Sequence, residues 1–437
     1  MLIIRRRALP ILLALVLAVI AQPITAGARP GRRPHPDVRF ATFNVSLFRA
    51  EQGQLVADLR AGDEQARTVA EIVQLQRPDV LLVNEFDYDP RGKAVALFGD
   101  HYLGVSQGGR APIRYPYRMA FASNTGIASG FDLNNDGVIG TEGRAYGDDA
   151  FGFGEFPGQY AFAVYSRYPI ATEAIRTFQH FRWADMPGAL LPDDPNTSSR
   201  ADWYSPEELA VFRLSSKNHV DVPVRVGRDT VHLLASHPTP PSFDGVEDRN
   251  GRRNHDEIRL WADYIRGGRA SRYIYDDDGR SGGLHPGARF VIAGDLNADP
   301  VDGDSVPGAI QQLLNHPKVR ERPIPSSAGG PEQAELQGGA NDSHRGNPAF
   351  DTADFSESVG NLRVDYVLPR NGMRVSNPAV FWPPPAIPTS TSSARSRSRR
   401  PTTASSASTW PCRSAARRHT GADVAPPGTA GRVEQWG

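Results

Sequence analysis

The sequence predicts an α/β domain whose strands deliver polar side chains to one rim. Three observations carry this: apolar runs too short for helices that stop on a polar residue, amphipathic segments between them, and a single cysteine, Cys412, confined to the tail. Without disulfides, a chain of this length has to be held by a real hydrophobic core. The clearest run is Phe290-Val-Ile-Ala-Gly-Asp-Leu-Asn297. Its apolar part reads as a strand covered on both faces, and Gly294 lets the chain turn where it leaves the sheet. Asp295 and Asn297, two apart, point the same way in extended geometry and can share a metal, a water or a phosphate.

In chain order, Val38 to Asn44 alternates polar and apolar residues and ends on Asn44, an uncharged side chain suited to orienting. Asp63 to Gln76 has an apolar face (Ala66, Val69, Ile72 or Val73, Leu75 or Gln76) and is closed by Pro78, which predicts a helix begun by acids. Asp79 to Glu85 is a second buried strand, and a carboxylate at its end is costly unless it meets a cation. Phe131 to Gly137 sets Asp132, Asn134 and Asp136 at alternate positions before a glycine, like the first half of a calcium-binding loop. The closing acid is out of place, since position 12 is Gly143 and Glu142 sits at 11, so the stretch reads as a glycine-rich surface loop able to take an opportunistic or structural Ca2+.

Gln159 to Arg167 reads as a strand, and Ala171 to Val226 as an irregular polar insertion. Thr230 to His237 returns to strand pattern, and Pro238 stops it, leaving His237 on the same rim as Asn44, Glu85 and Asp295 if the sheets are shared. Asn254 to Ile265 predicts an Asn-capped helix burying Ile258, Trp261 or Leu260, and Ile265. In Leu362 to Leu368, Asp365 sits among apolar neighbours, where a buried acid wants a histidine or metal partner.

The ends differ in kind. Met1 to Ala28 combines Arg5-Arg6-Arg7, an apolar run from Ala8 to Ile20, and Ala26-Gly27-Ala28, the pattern of a secretory signal peptide. The run is too short to span a bilayer, so secretion without a stable membrane anchor is expected. Residues 29–37 read as a short linker and 38–385 as the folded domain. Residues 386–437, rich in Ser, Thr, Arg, Ala and Pro and without apolar periodicity, are expected to be disordered. Between them, residues 29–385 hold 38 basic and 47 acidic side chains, a net of −9. An acidic surface repels polyanions, so nucleic acid is a possible partner that the charge disfavours.

Thr42-Phe-Asn44, Asn84-Glu85, Ser236-His237-Pro-Thr-Pro, Gly294-Asp-Leu-Asn297 and Val364-Asp-Tyr366 occur in the order seen in the endonuclease/exonuclease/phosphatase family, which the chain resembles from Val38 to Pro384. The resemblance implies a four-layer sandwich of two packed mixed β-sheets flanked by helices. It implies that Glu85 binds Mg2+, or Mn2+, with Asn44 assisting, that Asp295 and Asn297 align and activate water, and that His237 contacts phosphoryl oxygens. A phosphate ester is then the substrate and a monomer the expected state. A noncatalytic, calcium-dependent binding module on the same scaffold is the competing expectation.

One family element is missing: a closing Ser-Asp-His whose histidine pairs with an acid such as Asp365. The chain has no Ser-Asp-His. Joining the third base of each codon to the first two of the next turns Thr402 and Thr403 into codons ending in AC, and Pro401 to Ser406 can then encode Ser-Asp-His-Arg-Leu-Val. A frameshift near Pro383-Pro-Pro385 explains the foreign tail, and the chain as written is expected to be impaired in activity and stability.

Overall fold

The computed structural model describes residues 37–384. The expected signal peptide, nearly all of the linker, and the expected frameshifted tail lie outside these residues. Among them, two mixed sheets are formed. The first has the order β1-β2-β4-β3, from β1 (Phe40–Leu47), β2 (Val80–Phe86), β3 (Tyr117–Phe121) and β4 (Phe162–Ser166). The second runs β11-β8-β7-β6-β5, from β5 (Arg176–Thr177), β6 (His219–Val226), β7 (Asp229–Ser236), β8 (Arg289–Asp295) and β11 (Asp365–Pro369). A small ribbon, β9 (Ala353–Asp354) with β10 (Asn361–Leu362), lies just before β11. Pairing is parallel in β1–β2 and β7–β8 and antiparallel elsewhere.

Period-two alternation explains the layering. Phe40, Val80, Leu82, Phe162 and Val164 of the first sheet pack against Val220, Val222, Val224, Val231, Leu233, Val291 and Ala293 of the second. The residues between them face outward. Ala41, Phe43, Leu81 and Val83 are covered by α1 (Gln54–Ala61) and α2 (Glu64–Gln76), whereas Leu234, Phe290 and Ile292 are covered by α3 (Arg249–Arg266). Helix, sheet, sheet and helix make the four layers of the expected α/β sandwich.

The helices also show where the pattern misled. In α2, Asp63 caps as expected by accepting from the Ala66 amide, yet Gln74 is buried and Leu75 is exposed. Gln74 bonds the carbonyls of Leu103 and Val105, so a polar side chain holds the core position. Helix α3 begins at Arg249, and Asn254 is therefore no cap. Residues 171–226 are not wholly irregular, because β6 supplies the second sheet with eight residues of Val-rich strand.

Candidate active site

The alternation that fills the core also aims the site. Continuing Phe40 and Thr42 puts Asn44 on the inter-sheet side. Continuing Leu233 and Ala235 puts His237 there, and Val291 and Ala293 lead to Asp295. Asp365, two before the inward Val367, pairs in register with Asp295. Across the sandwich, Asn44 Nδ2 donates to Asp295 Oδ2 at 3.1 Å, and His237 Nε2 lies 3.7 Å from the same oxygen. Asn297 donates its amide to Asp295 Oδ1 at 3.0 Å and its side chain to the Pro238 carbonyl at 3.0 Å.

Glu85 breaks the pattern. Alternation would send it outward with Leu81 and Val83, but its φ is 55°, a left-handed conformation that a glutamate adopts rarely. Ser46 (φ 48°) and Asn297 (φ 51°) share that conformation, and a register irregularity between Asn44 and Leu47 lies alongside. The kink leaves Glu85 beside Asn44 and Asp295, with Ser46 Oγ 3.4 Å from its Oε2. Strained backbone at three residues around one point fits a functional site better than an ordinary strand end.

Burial governs the electrostatics. It raises the pKa of Glu85, opposed by Asn44 and reinforced by Asp295. Burial likewise raises Asp295, with Asn44 and the Asn297 amide pulling it back. Asp365 is pushed well above the carboxylate range by burial and then by Asp295; the nearby Thr352 hydroxyl opposes this, yet neither carboxylate oxygen has a hydrogen-bond partner. His237 is held well below its usual pKa by burial and by Lys217, and its Nδ1 is also unpartnered. Three acids thus converge with few donors, an arrangement whose repulsion a cation would offset.

The profile of the Endonuclease/Exonuclease/phosphatase family matches residues 41–406. The chain belongs to this family. It is therefore built on the phosphoesterase-type scaffold of enzymes that are generally metal-dependent hydrolases of ester bonds. A search of curated proteins finds no match. Among solved structures, the chain is similar to an endonuclease/exonuclease/phosphatase from Beutenbergia cavernae (15% identity, TM-score 0.40), covering 78% of this chain and 65% of that one. It is similar also to sphingomyelinase C from Streptomyces griseocarneus, with 17% identity, 78% and 86% coverage and a TM-score of 0.38. A beta toxin from Staphylococcus aureus with bound magnesium ions gives 12% identity, 79% and 89% coverage and a TM-score of 0.38.

A metal of this family fits the donors on hand. Among the described residues no group of three or more His, Cys, Asp or Glu could hold an ion. The available set is oxygen-only, the carboxylates of Glu85 and Asp295 with the Asn44 amide, which suits Mg2+, an ion that keeps several waters and takes one or two protein carboxylates. The candidate calcium loop is elsewhere and exposed. Asp132 accepts from the Asp136 and Gly137 amides, and Asp136 from the Val138 amide, so backbone donors already occupy those carboxylates.

Two residues that the sequence reads as a helix beginning, Glu257 and its cap Asn254, instead support the site. Glu257 is fully buried on α3 and accepts from the amides of Ser216 and Thr239, both at 2.7 Å. Asn254 donates to the carbonyls of Thr239 and Leu296. One helix face therefore clamps the loops carrying Lys217, His237 and Asn297. In the sequence, the only signal was two polar residues on the apolar side of an amphipathic helix.

Proposed function

We propose that the chain is an exported, Mg2+-dependent phosphoesterase, with Mn2+ able to replace Mg2+, acting as a monomer on a phosphate ester. The observation that carries the reading is the Asn44–Asp295 bond joining the two sheets beside Glu85, because it brings the strand ends around one point. In this reading Glu85 holds the cation with Asn44 assisting, and His237 contacts phosphoryl oxygens. Asp295, aligned by Asn44 and Asn297, takes the proton of the attacking water. When bound, the cation neutralises charge developing on the phosphoryl and leaving oxygens. The acidic domain surface favours small or lipid phosphate esters over duplex nucleic acid. No helix among the described residues is long and apolar enough to cross a membrane.

The written chain is impaired in this reading, because both buried oxygens of Asp365 lack the donor that a closing histidine would supply. Resequencing the Pro383-Pro-Pro385 codons tests the frameshift directly: an unambiguous in-frame read ends it. The activity test uses bis(4-nitrophenyl) phosphate with the full chain bearing the displaced-frame tail. Glu85→Ala in that chain should abolish Mg2+-dependent turnover. Turnover indifferent to that change would remove Glu85 as the cation's ligand, whereas no turnover in either chain, with binding unaffected by Glu85→Ala, would sink the enzyme assignment and favour a calcium-dependent binding module.

A further inference from the structure

Lys217 is a charged residue of this site with no assigned role. It is 7% exposed, in the loop that leads into β6, and its ammonium makes one long hydrogen bond, 3.4 Å to the Pro238 carbonyl. That carbonyl also accepts from Asn297 Nδ2, so the ammonium and the Asn297 amide lie side by side on the site wall. Glu257, Glu85, Asp295 and Arg253 are its charged neighbours, yet none of the three carboxylates forms an ion pair with it within 4.0 Å among the described residues. Each is engaged elsewhere: Glu257 with Ser216 and Thr239, Asp295 with Asn44 and Asn297, Glu85 beside Ser46. An ammonium has three donors, and burying it with two unmet is costly.

Glu257 fixes the backbone of Ser216, the residue before Lys217, and of Thr239, the residue after Pro238, whose carbonyl the ammonium meets. The fold holds the Lys217 amine, whose pKa burial lowers and the nearby Glu257, Glu85 and Asp295 carboxylates pull back up, at the wall of the site. We propose that Lys217 is a phosphoryl-binding residue, its ammonium donating to a nonbridging oxygen of the phosphate ester while Glu85 serves the cation on the other side. The proposal rests on the phosphoesterase reading and adds a second positive group to it.

The probe is inorganic phosphate, titrated calorimetrically into the full chain with Mg2+ present. Lys217→Met should weaken phosphate binding about 10- to 100-fold, the loss expected for one charge-assisted hydrogen bond. Mg2+ affinity measured alone should be unchanged or higher, since a positive charge beside Glu85 is removed. If Lys217→Met does not fold, the wild-type protein decides. Lys93, Lys217 and Lys318 are the chain's lysines. Side-chain 15N spectra assigned with Lys93→Arg and Lys318→Arg should then show the Lys217 signal moving on phosphate addition and the others not. Unaltered phosphate affinity in Lys217→Met, no phosphate binding by the wild type, or an unmoved Lys217 signal would each overturn the proposal. Phosphate binding through Lys217 without hydrolysis of any ester by the chain bearing the displaced-frame tail would leave it standing and remove the enzyme assignment; hydrolysis by that chain with phosphate binding indifferent to Lys217 would do the reverse.

Discussion

Two buried histidines, neighbours across one hairpin, have opposite surroundings. His219 heads β6 and pairs in register with Ser236, the residue before His237. Its Nδ1 meets Ser215 Oγ at 2.7 Å and its Nε2 meets the Glu257 carbonyl at 2.8 Å, with Trp261 alongside. A carbonyl only accepts, so Nε2 carries the proton and Nδ1 accepts from the serine. His237 is as deeply buried, yet its Nδ1 has no partner and its Nε2 stands 3.7 Å from Asp295. Burial alone therefore does not mark a working residue. Unmet hydrogen-bonding capacity does not mark one by itself either, since His316 Nε2 and Asn84 Oδ1 are also unpartnered; what sets His237 and Asp365 apart is that their unpartnered atoms flank Asp295, which Asn44 and Asn297 do bond.

The sharpest way to break this contrast is to supply the missing partner. A chain carrying the displaced-frame tail should hydrolyse bis(4-nitrophenyl) phosphate about 10²- to 10⁴-fold faster than the written chain, the usual worth of one positioned proton-transfer group. Equal rates, or a gain that survives replacing the new histidine by alanine, would show that the orphaned oxygens are not waiting for it.

The satisfied histidine gives the next largest effect. Burial lowers the pKa of His219 from 6.5 to about 3, below its value in the unfolded chain. Its contribution is therefore fully present above pH 6.5 and is lost as pH falls towards 3, on the order of 5 kcal/mol across that window. Urea titrations at stepped pH should show His219→Gln less stable at pH 7 but with a visibly shallower acid decline. Parallel slopes for the two proteins would mean that His219 is not held neutral.

Much of this was legible in the sequence, and the failures share a cause. Strands carrying Asn44, Glu85 and Asp295, and the one leading to His237, declared themselves because alternation and apolar runs are local signals, whereas the sheet layering came from the family resemblance; β1 and β2 run on past Asn44 and Glu85 to Leu47 and Phe86. Glu85 entered the site for a reason the pattern could not hold, since its alternation points outward and only the left-handed turn at φ 55° brings it back. Lys217, Asn254 and Glu257 were opaque because their partners are amides and carbonyls of loops distant in sequence, such as Thr239 and Leu296. Backbone partners leave no residue-type signature. Reading 171–226 as irregular misses β6 because His219, Asp221 and Arg225 dilute its valines.

The smallest expected effect separates the two sides of the site most cleanly. Asn44→Ala removes the donor to Asp295 and leaves a buried carboxylate short of a partner, which should destabilise the fold by about 1–3 kcal/mol. Asp365→Leu instead removes oxygens that already lack partners and replaces them with an apolar group of similar shape, so it should be neutral or stabilising by about 1–3 kcal/mol. The sign has a pH dependence. Because Asp365 is raised well above 3.8 in the folded chain, its cost is absent below the unfolded value and develops as pH rises towards the folded one. The advantage of Asp365→Leu in urea unfolding should accordingly be near zero at pH 4 and grow towards neutral pH, while the Asn44→Ala deficit should not show that growth from zero. A destabilised Asp365→Leu at neutral pH would mean that the carboxylate is already satisfied, and the contrast between the two sides would disappear.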